Sequence, residues 1–214
     1  MLKKTYIALL LGFLPLISLA QTAPKYSNEF LSIGVGARAL GMSNAVVASS
    51  QGVMSSYWNP ASMTRLNYDM EIGLMHAEYF AGVAAFDFGA AMYRTDENTV
   101  LGAGFVRFGV DNIPNTLDLI DSDGNIRYDR LSAFSAADMA VLLSVARSNI
   151  ADNLSIGGNV KIVRRKAGNF GGAWGFGLDA SALYETDKWM FAAMATDVTS
   201  TFNPWTFNQK ALAD

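Results

Sequence analysis

Apolar residues alternate with small or polar residues along most of the chain after residue 69, in segments of roughly ten to twelve residues. A period of two places alternate side chains on opposite faces and is typical of β-strands. In residues 154–163, for example, Leu154, Ile156 and Ile162 share one face, while Asn159 and Lys161 share the other. The pattern predicts seven strands, at residues 69–80, 84–92, 100–110, 136–147, 154–163, 174–182 and 189–198.

The length of these segments favours strands that cross a membrane. Strands in soluble sandwiches usually have about five or six residues, whereas a tilted membrane strand has about nine to eleven. The predicted connections also tend to alternate between short turns and longer loops, as in outer-membrane barrels. Short turns are expected at residues 94–99, 148–153 and 185–188, and longer loops at residues 111–135, at residues 164–172 and after residue 199. The tight turn at residues 81–82 is the exception.

In a membrane barrel the apolar row of each strand faces lipid and the polar row faces the interior. We therefore expect Phe86, Ile156 and Phe176 to point outward. The side chains expected inside are Asp87, Asp138, Asn159, Lys161 and Asp179. These polar groups can pair with one another and with water, or they can bind a solute or contact a plug. Aromatic residues near strand ends predict an interfacial girdle, with simple packing as the alternative: Tyr93, Trp174, Tyr184 and Trp189.

The N-terminus predicts export. Lys3 and Lys4 precede an apolar run at residues 7–16, and small residues at 18–20 form a cleavage site before Gln21, which is typical of a signal peptide. A retained transmembrane helix is the alternative, but the run is shorter than the ~20 residues that a bilayer requires. Removal of the two lysines changes the formal net charge from −3 to −5. This mild acidity argues against a nucleic-acid partner, and the absence of cysteine excludes lipoprotein acylation, disulfides and thiolate metal sites.

Residues 21–68, which we call the hatch, lack the strand pattern and are predicted to form a plug or periplasmic segment. Its small and cationic residues include Gly36, Arg38 and Gly41, and the small ones allow close backbone approach. Asn59 can cap a short helix that has Pro60 in its first turn, where the missing N–H costs little. The domain plan is then a signal peptide at 1–20, the hatch, and part of a barrel wall at 69–214. An odd number of strands leaves an unpaired edge, so we expect a piece of a longer protein.

Four segments of the chain carry a specific likeness: FLSIGVGARALGMSNAVVASSQGVMSSYWNPA (30–61) and residues 109–147, 154–185 and 197–208. Together they resemble the PorV/PorQ family of Bacteroidota outer-membrane proteins, which are relatives of the FadL-type fatty-acid channels. The resemblance is closest to the PorV-like branch and implies a FadL-like transmembrane antiparallel β-barrel of about fourteen strands with an N-terminal hatch. It also implies a role in type IX secretion, in which PorV-like proteins bind exported cargo and attach to the secretion machinery.

No catalytic, metal or cofactor pattern emerges from the chain. The acidic segment at residues 118–125 does not have the ligand spacing of an EF-hand and is predicted to be a turn. Gly34 and Gly36 are not preceded by the strand that a dinucleotide-binding loop requires. His76 has no nucleophile or metal-ligand motif near it. We expect no enzyme activity, and the expected partners are outer-membrane lipids with secretion components or cargo. The candidate interface residues lie in the predicted outer loops: Asn115, Asp121, Asp123, Asn125, Phe202, Trp205 and Phe207. A FadL-like channel for hydrophobic solutes is the second hypothesis, and a soluble periplasmic β-protein is the third.

Overall fold

The computed structural model describes residues 28–117, 119–121, 123–199 and 204–209. They form a curled antiparallel sheet, a half-barrel, with the described part of the hatch against its inner face. The strands are β1 (Met70–Tyr79), β2 (Ala84–Arg94), β3 (Thr99–Asn115), β4 (Ser132–Ala151), β5 (Leu154–Ala167), β6 (Gly171–Glu185), β7 (Met190–Ala195) and β8 (Trp205–Phe207). In these ranges, no helix has the length and hydropathy needed to cross a membrane.

Strands β1 to β7 pair in chain order, and the seven predicted strands are confirmed. The short strand β8 pairs with the first residues of β6, whereas β7 pairs with its last residues. The prediction of a long loop at residues 164–172 is wrong, because β5 and β6 continue through most of that segment and only residues 168–170 connect them. A long connection does separate β3 from β4, at residues 116–131.

Tight turns join the strands at the end opposite that connection. Residues 95–98 join β2 to β3, residues 152–153 join β4 to β5, and residues 186–189 join β6 to β7. In the first turn the Asp96 carboxylate accepts the Asn98 backbone N–H at 2.8 Å, and this hydrogen bond lowers the pKa of Asp96. Asn153 adopts a positive φ of 62°, a conformation that asparagine tolerates in turns.

The hatch is built from single turns of helix. It contains 3₁₀-helices at Glu29–Ser32, Gly52–Met54 and Pro60–Arg65, with α-helices α1 (Ala37–Gly41) and α2 (Ser55–Trp58) between them. Asn59 caps the last 3₁₀-helix as predicted: its side chain accepts the Ala61 N–H, and Pro60 occupies the first helical position.

The inner face of β1 to β4 is mainly apolar. Phe86 is 0 % exposed on β2, opposite Phe108 of β3, and Met63 of the hatch lies over Gly102 of β3. The apolar core between the hatch and these strands consists of Phe30, Val35, Val53, Met63, Leu66, Phe86, Phe88, Ala90, Met92, Val100, Val106, Ala140, Leu142, Ala146 and Val163. The predicted outward orientation of Phe86 is therefore wrong. The apolar row of β2 faces inward because the hatch supplies an apolar surface for it to pack against.

The outer face carries a second apolar row, which no part of the described chain covers. Phe176 is 62 % exposed and Ile156 is 42 % exposed on this face, as predicted. We define the outer band as the large exposed apolar residues that share it: Ile72, Leu74, Leu101, Phe105, Val141, Leu143, Val145, Ile156, Val160, Trp174, Phe176, Leu178, Tyr184 and Phe191. The half-barrel thus has apolar side chains on both faces, but only the inner ones are buried.

Candidate functional site

The inner face of β5 and β6 differs from the rest of the wall because it is polar. Asn159 on β5 lies directly opposite Asp179 on β6, and Lys161 is two residues further along β5 on the same face. Each of the three residues is less than 8 % exposed. Together with Asp197 they form the buried polar cluster, on which the hatch is seated.

A buried lysine joins two carboxylates at the centre of this cluster. Lys161 Nζ lies 2.7 Å from Asp179 Oδ1 and 2.6 Å from Asp197 Oδ1. Asn159 Nδ2 donates to Asp179 Oδ2 at 3.2 Å, and the backbone N–H of Asp197 donates to Asp179 Oδ1 at 2.9 Å. Buried charges need such partners, because an isolated ion loses its hydration without compensation.

Asp197 is a member of this cluster that the sequence pattern does not predict. It follows β7, where the chain leaves the sheet, and its φ of 53° lies in the left-handed region. This conformation brings its carboxylate to Lys161, while the next residue, Val198, still donates its backbone N–H to Leu178 at 2.8 Å. An aspartate after a weakly alternating strand gives no pattern from which this position could have been found.

The hatch contacts the polar wall through backbone groups and through polar side chains. Asn159 Nδ2 donates to the Ser56 carbonyl at 3.0 Å, and the Ala61 N–H donates to Ser181 Oγ at 2.9 Å. Gly157 makes this approach possible, since a Cβ at that position would lie 2.4 Å from the Ala61 nitrogen. Asn28 Nδ2 reaches the Asp197 carboxylate at 3.4 and 3.5 Å. The polar half of the wall therefore recognises the hatch by hydrogen bonds.

A cavity of about 250 Å³ lies beside the cluster. Its polar end is formed by Asn159, Lys161, Asp179 and Thr196, and the remaining lining is Leu31, Val47, Tyr57, Trp58, Leu142 and Met194. The Oδ1 atom of Asn159 is buried and has no hydrogen-bond partner among the described residues. Burial raises the pKa of Tyr57 well above its usual value, so this phenol stays neutral and donates to the Leu31 carbonyl. The cavity thus combines an apolar wall with a charged end and a free acceptor.

Two of the predicted interior aspartates lie elsewhere. Asp138 is on the inner face nearer the loops, where it forms an ion pair with Arg165 at 2.6 Å. Asp87 lies on the outer face, which corrects its predicted position. The cause is the inward orientation of the neighbouring Phe86, which turns Asp87 outward on the same strand. There it contacts His76 Nδ1 at 2.7 Å and Arg107 at 3.5 Å.

The other hatch residues that the sequence singled out have separate roles. Gly36 has a φ of 89°, and its N–H points to Met75 Sδ of β1 at 3.0 Å. Arg38 is exposed on α1, at the edge of a small cavity of about 110 Å³ within the hatch. A Cβ at Gly41 would meet no atom within 4 Å, so nothing in its surroundings requires glycine.

The described candidate interface residues lie at the end of β3 (Asn115), in the long connection and in β8. Asn115 Oδ1 accepts the Leu117 N–H, and Asp121 Oδ1 accepts the N–H groups of Asp123 and Asn125, which form the predicted turn. Among the apolar residues of this connection, those at least half exposed are Leu117, Ile120, Ile126, Tyr128 and Leu131. In β8 the rings of Trp205 and Phe207 stack at 6.2 Å between centroids, with exposures of 40 % and 63 %. Phe202 lies outside the described residues.

Comparison with known proteins adds no assignment: no protein-family model matches the chain, and no curated protein sequence matches it significantly.

Proposed function

We propose that this chain forms part of the wall and the hatch of a PorV-like outer-membrane β-barrel. The loop end of this barrel binds exported proteins or components of the type IX secretion machinery. The observation that carries the proposal is the outer band. Its side chains are too numerous and too contiguous for a water-exposed sheet, since soluble monomers rarely leave large apolar surfaces uncovered.

The height of the outer band supports insertion in a bilayer. On β6 the outward row from Trp174 to Tyr184 contains no charged residue and rises about 33 Å along the strand at ~3.3 Å per residue. A strand tilt of about 40° reduces this to a height of about 25 Å, the height of the apolar band in outer-membrane barrels. Arg147 and Arg164 lie near the two ends of the outer face, and the ion pair of Asp87 with Arg107 lies at the strand register of Arg164.

The loop end supports the recognition role. The connection at residues 116–131 exposes apolar side chains next to polar turn residues, and β8 adds a stacked pair of aromatic rings. Interfaces are enriched in aromatic residues of this kind. The resemblance of residues 30–61 and 109–147 to the PorV/PorQ family supplies the class of partner.

Deletion of residues 115–125 tests the recognition role. Apart from Asn115, which pairs with Ser132 at the end of β3, the deleted residues lie outside the strand pairs that hold β3 and β4 together, so the wall should fold without them. We expect co-purification of secretion partners to fall at least tenfold, while the protein stays in the outer-membrane fraction. A matched control deletes residues 96–97 from the turn at the opposite end, which should leave co-purification unchanged. Equal recovery of partners with both variants would contradict the role.

A second candidate function is a conduit for hydrophobic solutes, which the cavity beside the buried polar cluster favours. Its lining combines apolar side chains with Lys161 and the free acceptor of Asn159, an arrangement suited to an amphiphilic molecule. Extraction of the purified protein followed by lipid mass spectrometry tests this function. A stoichiometric amphiphile that is lost when Leu142 is replaced by Trp would support it, and solute-free protein with unimpaired uptake in a deletion strain would exclude it.

A further inference from the structure

Two cations at the loop end of the outer face have no acidic partner within the part of the chain that the structure describes. Arg164 and Lys166 lie on the outer face of β5, where they face Trp174 and Gly172 of β6. Neither has a salt bridge among the described residues, whereas Arg107 on the same face is paired with both Asp87 and Asp111. The β5 side of the outer face therefore carries a local positive charge that the β3 side does not.

The guanidinium of Arg164 is held in a defined position. Its central carbon lies 4.9 Å from the centroid of the Trp174 ring, and Nη1 donates to the Ala173 carbonyl at 3.2 Å. Gly172 leaves room for it, since a Cβ there would lie 3.0 Å from Nη1. Guanidinium has five N–H donors, so most of them remain available to an anion.

An open groove of about 570 Å³ runs beside these two cations. Besides Arg164 and Lys166, the residues that line it include Asn169, Trp174, Thr206 and Asn208. Along β6 the groove residues 171–174 come directly before Phe176 of the outer band. If the band lies in hydrocarbon, the groove lies at the level of the lipid headgroups, where tryptophan is enriched.

We propose that this groove binds the phosphate monoester of a membrane lipid, with the acyl chains of the lipid lying along the outer band. The proposal rests on the membrane location proposed above. Arginine and lysine together match a phosphate that carries between one and two negative charges, and arginine can donate two parallel hydrogen bonds to it. The apolar surface next to the groove distinguishes a lipid-borne phosphate from free phosphate, which would gain nothing from the band.

Native mass spectrometry of the full-length protein from mixed micelles tests the site. The micelles contain equal amounts of phosphatidic acid and phosphatidylcholine with identical chains. We expect wild-type protein to retain phosphatidic acid preferentially, with the preference falling about fivefold in Arg164→Gln or Lys166→Gln and about 25-fold in the double variant. Arg147→Gln is the matched control, since Arg147 is exposed on the same face at the turn end. An equal loss in Arg147→Gln would overturn the proposal.

Two further measurements distinguish failure of the lipid site from failure of the proposed membrane location. Inorganic phosphate in tenfold excess over the lipid should leave the retained phosphatidic acid in place, and its displacement would assign the groove to free phosphate and refute the lipid site. Insertion is measured separately, in vesicles of phosphatidylcholine alone. Normal insertion without headgroup preference would refute the lipid site only, whereas failure to insert would refute the membrane location.

Discussion

Strands β2 and β6 have similar sequences of alternating apolar and polar residues, yet they face opposite ways. The aromatic residues of β2, Phe86 and Phe88, are buried inside, and Asp87 between them is on the outer face. In β6 the aromatic residues Trp174 and Phe176 are outside, and Asp179 is buried inside. Alternation decides which side chains share a face, whereas the surface opposite the strand decides which face is buried.

The surface opposite each strand belongs to a different part of the hatch. Over β2 the hatch presents apolar side chains such as Val53 and Met54. Over β6 it presents backbone groups near Ala61, which need hydrogen-bond partners. Each half of the wall therefore complements the hatch segment that it contacts, and the polar half achieves this with buried charges.

The largest expected effect comes from removing the cation of the polar half. Lys161→Met removes the buried ammonium group that lies between the carboxylates of Asp179 and Asp197, which should reduce the free energy of unfolding by about 4 kcal/mol. Urea unfolding in lipid vesicles measures this change. The matched control is Arg107→Met, which breaks partly exposed ion pairs on the outer face and should cost less than about 1 kcal/mol. An equal loss of unfolding free energy in the two variants would contradict the claim that the buried ion pairs of Lys161 stabilise the protein more than the exposed ion pairs of Arg107.

On the apolar half, Phe86→Ala should open a cavity between β2 and the hatch. We expect it to reduce the free energy of unfolding by about 3 kcal/mol. This value is at the low end of the range for Phe→Ala substitutions in protein cores, because the hatch can move into part of the cavity. It should also speed hydrogen exchange at hatch amides. Phe176→Ala is the control on β6: its side chain points away from the hatch, so hatch exchange should not change. Faster hatch exchange in Phe176→Ala would mean that the two strands have the same orientation.

A smaller effect is expected where the hatch backbone rests on the polar half. The added methyl group in Gly157→Ala would lie 2.4 Å from the Ala61 nitrogen and must displace the hatch, at a cost of about 1–2 kcal/mol. Gly104→Ala is the control, since a Cβ there meets Leu142 at 3.6 Å, an ordinary contact. Protease cleavage within the hatch should accelerate in Gly157→Ala alone. Unaltered cleavage would show that the hatch does not rest on Gly157.

Much of the wall could be predicted from sequence because strand periodicity is a local property. The seven strands and the residues that share a face followed from alternation alone. The inward orientation of β2 did not, because it depends on hatch residues such as Val53, more than thirty positions earlier in the chain. Asp197 was missed for a related reason, since its role depends on a left-handed backbone conformation. The glycine-rich segment that follows residues 164–166 predicts a loop that includes them, but these residues alternate across the wall and pair with β6.

The central claim is that the outer band faces lipid, and a spin label on β6 tests it most directly. The chain has no cysteine, so Phe176→Cys gives a single labelling site, and Asn125→Cys gives a control in the long connection. In lipid vesicles, the nitroxide at position 176 should collide more often with oxygen, which concentrates in hydrocarbon, than with a water-soluble nickel chelate. The label at position 125 should show the opposite preference. Preferential collision with the nickel chelate at position 176 would place the band in water and contradict the account.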